Sequence, residues 1–370
     1  MWSKEQPFRI IISGGGTGGH IFPALAIAKE IKARIPHSNI LFVGAKGRME
    51  MEKVPLEGFE IIGLDISGLQ RRLTLKNMAV PVKLVGSLVK AWRLVRSFKP
   101  QMAVGVGGYA SAPTLFAASL AGVPTLIQEQ NSYAGLTNKL LARRASTICV
   151  AYAGMEKYFP ASKVKNLGNP VRKDILSKTI SKSDAIAHFN LQVGKPVLLV
   201  VGGSLGARTI NESILEGMAK LEENGIQLVW QTGKAYAEQA QAATAGNPMV
   251  WTNSFISNMA MAYAVADVVI SRAGALSVSE LCLVGKPVIL VPSPNVAEDH
   301  QTKNAKALVD VYAAMLVHDR DAKSSLVATA IDLIINEKAK AILAENIGKL
   351  GKPDATEKIV DEILKLAQHG

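Results

Sequence analysis

The sequence has few of the features that mark disulfide-bonded, metal-binding or membrane-spanning proteins. Its 2 cysteines, Cys149 and Cys282, stand far apart in apolar surroundings and form no CxxC pair. We therefore expect reduced core thiols and a cytoplasmic protein. No apolar run approaches the length of a membrane span, and the opening MWSKEQPFRIII lacks the pattern of a cleaved signal peptide. Aromatic residues are only 5% of the chain, but hydrophobic residues of all kinds are 48%, which predicts large folded cores.

Acidic residues are missing from one long stretch, residues 66–128. Residues 1–173 carry 24 Lys and Arg against 9 Asp and Glu, whereas residues 174–370 carry 18 against 21. This asymmetry indicates an anionic partner for the N-terminal half. Nucleic acid, an anionic membrane surface and a phosphorylated substrate would each satisfy it. Because no RRM, KH, helix-turn-helix or zinc signature is present, we expect no nucleic acid.

Short β-branched runs alternate with helix-length segments along the whole chain. The predicted strands are 9–13, 40–43, 102–106, 125–128, 147–150, 197–201, 227–231, 268–271 and 288–291. Continuous apolar strands of this kind are covered on both faces. The pattern therefore predicts βαβ units and parallel sheets.

The chain contains two such series, and they resemble each other. IIISGGGTGGH at 10–20 is matched by VLLVVGGSLGA at 197–207. We predict an α/β fold of two Rossmann-like, doubly wound parallel-sheet domains, residues 1–173 and 174–352. A C-terminal helix at 353–370 would pack near the N-terminal domain. The two sheets would face a central cleft, with ligands at the carboxyl ends of the strands.

Three glycine-rich loops, 13–20, 105–113 and 202–207, each follow a predicted strand and open a helix. Glycine leaves space for a phosphate or sugar at a helix N-terminus, although one such loop alone can be a tight turn without a ligand. The first loop matches GxGxxG, but the second strand ends in GAKG, without the acid that a dinucleotide site needs. We therefore expect no NAD site, and the absence of GxxxxGK[ST] excludes a P-loop.

The C-terminal half contains a better candidate for a nucleotide site. In SRAGALSVSE, 271–280, a helix beginning after Gly274 would present its first-turn amides. Glu280 would accept hydrogen bonds from both ribose hydroxyls, or would only complement the helix dipole. The polar segment 292–305 has side chains suited to sugar hydroxyls or to capping a helix near Asp299. They are Glu298, Asp299, His300, Gln301 and Asn304.

Residues 82–98 predict an amphipathic helix that packs on the core and leaves a basic edge in solvent. Its apolar face would be Leu84, Val85, Leu88, Trp92 and Val95. The segment 68–83 mixes apolar residues with basic ones, among them Arg71, Arg72 and Lys76, and has no acid. We hypothesise that this segment and the adjoining helix edge dock on the anionic cytoplasmic leaflet of a membrane.

In order along the chain, seven motifs resemble those of the MurG-type N-acetylglucosaminyltransferases. They are GGGTGGHIFPALA, GVGGYASAP, EQNSYAGLTNKLLA, GNPVR, GGSLGA, GALSVSE and DHQTKNA, and they extend from residue 14 to residue 305. The resemblance implies the two-domain GT-B fold. It also implies an inverting transfer of N-acetylglucosamine from UDP-N-acetylglucosamine to polyprenyl-linked lipid I, giving lipid II, with neither metal nor cofactor. The protein would be peripheral, on the inner face of the cytoplasmic membrane.

The resemblance also assigns residues to the site. Thr17, Gly18, Gly19 and Asn131 match residues on the donor-sugar or acceptor side of the cleft, and Arg172 and Ser204 match residues near the donor diphosphate and ribose. Ile256 matches a position whose backbone contacts uracil, and Ala275, Leu276, Ser277, Val278, Ser279 and Glu280 match the nucleotide-binding turn. Gln301 and Asn304 match residues near the N-acetylglucosamine, although the segment before Gln301 is longer here and contains proline.

The transfer requires stabilisation of the leaving diphosphate and removal of a proton from the acceptor hydroxyl. Helix N-termini and an arginine can do the first. His20 is our candidate for the base or acceptor-positioning residue, with Glu129 in reserve, although a histidine there can also be a hydrogen-bonding group at a helix start. DRD at 319–321 resembles a metal motif, but we predict that it is solvated surface. The alternatives are a UDP-N-acetylglucosamine epimerase, which would share the donor site, and a nucleic-acid-binding module.

Overall fold

The computed structural model of the protein describes residues 5–66, 80–171, 175, 180–203 and 206–369. The chain divides into two compact units. The N-terminal unit is Met1–Val171 with Pro353–Gly370, and the C-terminal unit is Arg172–Lys352. Each unit has its own parallel sheet, so the predicted α/β class with two doubly wound sheets is confirmed.

In the N-terminal unit the described residues form a seven-stranded sheet in the order β3-β2-β1-β4-β5-β6-β7. Its strands are β1 Arg9–Ser13, β2 Asn39–Ala45, β3 Glu60–Leu64, β4 Met102–Gly105, β5 Thr125–Glu129, β6 Thr147–Val150 and β7 Val164–Asn166. Its helices are α1 Gly18–Arg34, α2 Glu50–Leu56, α3 Val80–Phe98, α4 Ser111–Leu120, α5 Leu136–Leu141 and α15 Ala355–His369. The strand order reverses between β1 and β4, which is where doubly wound sheets bind ligands.

Alternate residues of these strands face two different helix layers. Ile10 and Ile12 pack against α1 and α15, whereas Ile11 packs against α3 and α4. Successive side chains of a strand point to opposite faces, so a sheet covered on both sides needs a continuous apolar run. The β-branched run of β1 therefore follows directly from its central place in the sheet.

The described residues of the C-terminal unit form a six-stranded sheet in the order β10-β9-β8-β11-β12-β13. Its strands are β8 Val197–Val201, β9 Gln227–Gln231, β10 Val250–Asn253, β11 Val268–Ser271, β12 Val288–Leu290 and β13 Met315–Leu316. Its helices are α6 Lys182–His188, α7 Arg208–Glu216, α8 Met218–Glu223, α9 Ala237–Ala243, α10 Met259–Val265, α11 Ala275–Val284, α12 His300–Val309, α13 Ala322–Ile335 and α14 Glu337–Lys349. Here the order reverses between β8 and β11, the equivalent place in the second series.

The helix predicted at 82–98 is present as α3, but of the predicted apolar face only Val95 is fully buried. Leu84, Val85 and Trp92 are 40%, 60% and 37% exposed, whereas Ser87 and Ala91 are buried. The buried stripe consists largely of small side chains, which let the helix lie close to the sheet and to α4. A pattern that counts large apolar residues therefore selects a face that is largely exposed.

Two observations in the structure bear on the hypothesis of membrane association. Among the described helices, none is long and apolar enough to cross a membrane. Most of the predicted docking segment, including Arg71, Arg72 and Lys76, lies outside the described residues.

Candidate active site

The first glycine loop connects β1 to α1 and places His20 in the first turn of that helix. Gly16 has a φ of 89°, a conformation that favours glycine. The loop packs against the second glycine loop, since the Gly15 amide donates to the Gly107 carbonyl at 3.3 Å. A Cβ at Gly108 would overlap the Gly15 backbone. The glycines therefore allow two loops at the carboxyl edge of the sheet to touch each other.

The His20 ring is held by this loop. Its Nδ1 lies 3.0 Å from the Gly15 carbonyl oxygen and 3.4 Å from the Thr17 hydroxyl. A carbonyl only accepts, so the network assigns the proton of a neutral ring to Nδ1 and the lone pair to Nε2. The ring lies over Gly107, where an added Cβ would be 2.9 Å from Nε2. This arrangement suits a base that acts through Nε2.

Glu129 ends β5, two strands from β1 in the sheet, and is buried. One carboxylate oxygen accepts from the Asn131 amide at 3.1 Å, and the other from the Gly135 amide at 3.0 Å and from Asn138 Nδ2 at 2.8 Å. The Asn131 side chain also donates to Glu129, at 3.3 Å. Both oxygens are thus engaged in shaping the segment that carries Asn131.

Glu50 is a site residue that the sequence pattern did not reveal. It begins α2, just after β2, and its carboxylate accepts from the amides of Gly16 and Ala45, both at 2.9 Å. An acid is therefore present near the end of the second strand, but it binds the glycine loop itself. The sequence analysis missed Glu50 because the dinucleotide-binding pattern looks for an acid that binds a ribose, and Glu50 binds the glycine loop instead.

The predicted nucleotide-binding turn forms the start of α11, immediately after β11. Gly274 is the N-cap and has no side chain to satisfy the first-turn amides, such as those of Leu276 and Ser277. Val278 is buried in the core, so it can offer only its backbone. Glu280 lies one turn further and is partly buried. β8 pairs directly with β11, so the third glycine loop, 202–207, starts beside this turn.

The prediction that DRD is solvated surface is wrong for Asp319. Asp319 pairs with Arg272 at 2.5 Å, and both side chains are largely buried, at 17% and 15% exposure. Arg272 also donates to the carbonyls of Val291 and Pro292, at 3.0 and 3.3 Å. Arg272, which follows β11, thus links the end of β12 to the 319–321 segment. A local polar pattern could not show this contact across 47 residues of chain.

Three other residues predicted to lie at the donor site form hydrogen bonds within the C-terminal unit. The Ile256 amide donates to Gln231 Oε1 at 3.0 Å, and its side chain is 1% exposed. Gln301 Oε1 accepts from the Ser293 amide at 2.8 Å. Asn304 is fully buried and donates to the Ala273 carbonyl at 3.3 Å. Hydrogen bonds of the Ile256 backbone and of the Gln301 and Asn304 side chains therefore hold these segments in place, and Gln231 is added to the candidates.

The sheet edges bring the candidates together within each unit. Thr17, Gly18, Gly19, His20, Glu129 and Asn131 follow strands β1 and β5 of the N-terminal sheet, and Ile256, 275–280, Gln301 and Asn304 follow strands β10, β11 and β12 of the C-terminal sheet. Arg172 and Ser204 lie outside the described residues. Within the described part of the chain, no group of three or more His, Cys, Asp or Glu side chains could hold a metal ion.

Comparisons with known proteins agree with this two-unit arrangement. Residues 10–150 match the glycosyltransferase family 28 N-terminal domain, and residues 197–359 match the glycosyltransferase family 28 C-terminal domain. The chain is 55% identical over 363 residues to a Cytophaga hutchinsonii protein, covering 98% of each. It is 56% identical over 364 residues to one from Parabacteroides distasonis, covering 98% of this chain and 99% of that protein.

Both relatives are named UDP-N-acetylglucosamine--N-acetylmuramyl-(pentapeptide) pyrophosphoryl-undecaprenol N-acetylglucosamine transferase. Among solved structures, that of Acinetobacter baumannii MurG aligns with a TM-score of 0.80 at 33% identity, covering 97% of this chain and 100% of that chain. Both family domains match in order, and the identity to the named relatives extends over nearly the whole chain. The chain therefore belongs to glycosyltransferase family 28.

Proposed function

We propose that this enzyme transfers N-acetylglucosamine from UDP-N-acetylglucosamine to undecaprenyl-pyrophosphoryl-N-acetylmuramoyl-pentapeptide, converting lipid I to lipid II for peptidoglycan synthesis. The near-full-length identity to transferases of that name is the observation that carries the proposal. The acceptor hydroxyl attacks the anomeric carbon of the donor sugar, and UDP leaves. One displacement of this kind inverts the configuration at that carbon.

The donor binds to the C-terminal unit. The first-turn amides of α11 face the diphosphate, and the helix dipole favours negative charge there. Glu280 accepts from the ribose hydroxyls, and the backbone at Ile256, held by Gln231, contacts the uracil. Gln301 and Asn304 hold the segments that shape the sugar site. Arg172 and Ser204 are assigned to the diphosphate and ribose by their place in the family motifs.

The acceptor binds to the N-terminal unit, along Thr17, Gly18, Gly19 and Asn131. His20 removes the proton from the attacking hydroxyl through Nε2, because its Nδ1 is committed to the Gly15 carbonyl. Glu129 supports this site indirectly, because its oxygens bind the backbone of Asn131 and Gly135. We therefore give Glu129 a positioning role and His20 the catalytic one.

The protein docks on the anionic cytoplasmic surface of the inner membrane through the exposed side of α3. Leu84, Val85 and Trp92 are exposed there, and Arg96 lies over the Trp92 ring at 5.7 Å from its centroid. Between α3 and α4 an apolar groove of about 270 Å³ is lined by Leu88, Val89, Trp92, Arg93, Phe116, Ala117 and Leu120. Each basic residue near such a surface contributes about 1 kcal/mol of attraction.

A single assay separates this proposal from the epimerase alternative. The full-length protein is incubated with UDP-N-acetylglucosamine, with and without lipid I, and the lipid and nucleotide products are separated by chromatography. We expect lipid II and UDP only when lipid I is present. Conversion of the sugar nucleotide to its epimer without an acceptor would overturn the proposal.

A further inference from the structure

Glu50 is a buried carboxylate in a space that two glycines leave open. It is 1% exposed, although it belongs to the first turn of a short surface helix. A Cβ at Gly15 would overlap its carboxyl group, and a Cβ at Gly44 would come within 2.5 Å of its Cγ. Burying a charge is costly unless it is hydrogen-bonded. The backbone therefore accommodates this side chain at two separate points.

The carboxylate is satisfied by backbone amides on both oxygens. Oε1 accepts from Ala45 and Oε2 accepts from Gly16, each at 2.9 Å. A donor at each oxygen matches the ionised form, which accepts on both. One bond thus fixes Glu50 to the end of β2, and the other fixes the first glycine loop to Glu50.

The bond to Gly16 has a consequence for His20. The Gly16 N–H and the Gly15 carbonyl belong to the same peptide group. That carbonyl is the acceptor, at 3.0 Å, for the Nδ1 of His20. Glu50, the 15–16 peptide group and the imidazole therefore form one continuous hydrogen-bonded chain. In such chains each bond polarises the next, and the effect is larger where water is excluded.

We propose that Glu50 is a positioning residue for His20 and acts on it through the 15–16 peptide group. This rests on the proposed function, in which His20 is the base. The carboxylate draws the amide proton toward itself, which makes the Gly15 carbonyl a stronger acceptor for Nδ1–H. The stronger hydrogen bond from Nδ1–H to this carbonyl keeps the lone pair on Nε2. It also stabilises the imidazolium once His20 has taken the acceptor's proton. A carboxylate thus orients the histidine from a distance, with a peptide group between them.

The other charged groups on these elements are exposed or form ion pairs of their own. Lys46 and Arg48, between β2 and α2, are exposed, as are Glu52 and Lys53 on α2. Glu57, which follows α2, pairs with Lys29 of α1 at 2.6 Å, and Glu30 pairs with Arg34 at 2.8 Å. On the second glycine loop the titratable group is Tyr109, which is 52% exposed. Glu50 is the charge held inside this network.

The test compares Glu50→Gln with Glu52→Gln, an exposed glutamate on the same helix. Glutamine offers an oxygen to one amide only, and its NH₂ group then faces the other. In the Glu50 variant we expect kcat to fall about tenfold or more, the size expected for a lost bond to a charged group, while affinity for UDP stays at the wild-type value. The Glu52 variant should match the wild type in both.

The ring nitrogens of isotope-labelled histidine, observed by NMR in the full-length protein, test the mechanism without any turnover. The His20 signals are identified from their loss in His20→Ala. We expect them to report Nδ1–H in the wild type and a shift toward the other tautomer in Glu50→Gln. Glu50→Asp keeps the charge on a shorter side chain, so its His20 signals should lie between those of the wild type and Glu50→Gln. The aspartate variant replaces Glu50→Gln in the test if the glutamine variant does not fold.

The two possible failures are distinguishable. Unchanged His20 signals and unchanged kcat in a folded Glu50→Gln protein would overturn the role of Glu50, even if His20→Ala is inactive. Full activity of His20→Ala would overturn the proposed base, whatever the NMR spectra of the Glu50 variants show.

Discussion

At the scale of single residues, partners decide what each polar group can do. Glu129 and Glu50 are both buried acids near the glycine loops, and backbone amides occupy both oxygens of each. His20 differs, because its ring is held through Nδ1 by the Gly15 carbonyl. These contacts support the proposal that the base at this edge is Nε2 of the histidine and not a carboxylate.

We expect His20→Ala to reduce turnover by about 10²–10⁴, the usual range for general-base assistance. Affinity for UDP should stay within error of the wild type, because the donor is assigned to the other unit. Turnover on lipid I and calorimetric titration with UDP measure the two effects. Near-normal turnover would leave His20 with a structural role at the start of α1.

Glu280→Ala should weaken UDP binding by about tenfold or more, since a hydrogen bond to a charged group is worth about 1.5–3 kcal/mol. Glu223→Ala removes an exposed glutamate of the same unit and should bind UDP normally. Calorimetry on both variants makes the comparison. If the Glu280 variant retains wild-type affinity, this carboxylate does not contact the nucleotide.

At the scale of elements, α3 shows how a helix can be amphipathic and still turn large apolar residues outward. Its buried stripe includes Ser87 and Ala91, and its exposed side includes Val85 and Trp92. Lys90 bridges to the Gly63 carbonyl at 2.8 Å and fixes the rotation of the helix against β3. The exposed side of α3 is therefore held in a fixed orientation, as the proposed contact with lipid requires.

Trp92→Glu should weaken binding to anionic vesicles, because it places a like charge at the proposed lipid surface and removes an aromatic contact. Turnover on full-length lipid I should fall with it, whereas turnover on a short-chain soluble acceptor should change little. Val193→Glu is the control, since Val193 is 84% exposed in the other unit. Vesicle sedimentation at low salt measures the binding, and equal sedimentation of both variants with the wild type would contradict docking through α3.

At the scale of the whole molecule, one sheet plan is used twice, and the last helix returns to the first unit. Ile359, Val360 and Ile363 of α15 share a core with Ile10 and Ile12 of β1. The N-terminal unit is therefore completed only when the end of the chain is in place. Each unit buries one of the cysteines in its own core.

Burial raises the pKa of Cys149 to about 12 and that of Cys282 to about 12. The thiolate is the reactive form, so both thiols should resist a chromogenic disulfide reagent in the folded protein at neutral pH. Both should react once the protein is unfolded in denaturant. Because unfolded thiols ionise near pH 8.5, the preference for the neutral buried form also costs stability as pH rises from there toward the folded pKa values. Rapid labelling of either cysteine in the native protein would contradict this burial.

The strand predictions show which strands a local hydrophobic pattern can predict. All nine predicted strands are present, and they are the interior strands of the two sheets. Within the described residues, the four strands that were missed are the edge strands β3, β7, β10 and β13. Interior strands are covered on both faces and must be continuously apolar, whereas an edge strand can be short and partly exposed, as β7 and β13 are.

The features of the candidate site can likewise be separated into those that the sequence predicts and those that it does not. The glycine loops, the start of α11 and the place of His20 could be predicted from the sequence, because backbone conformation and helix initiation depend on neighbouring residues. The partners of these groups could not be predicted. Glu50 reaches Gly16 across 34 residues and Arg272 reaches Asp319 across 47. Such bonds exist because parallel strands far apart in the chain end at one edge of a sheet, and only folding brings those ends together.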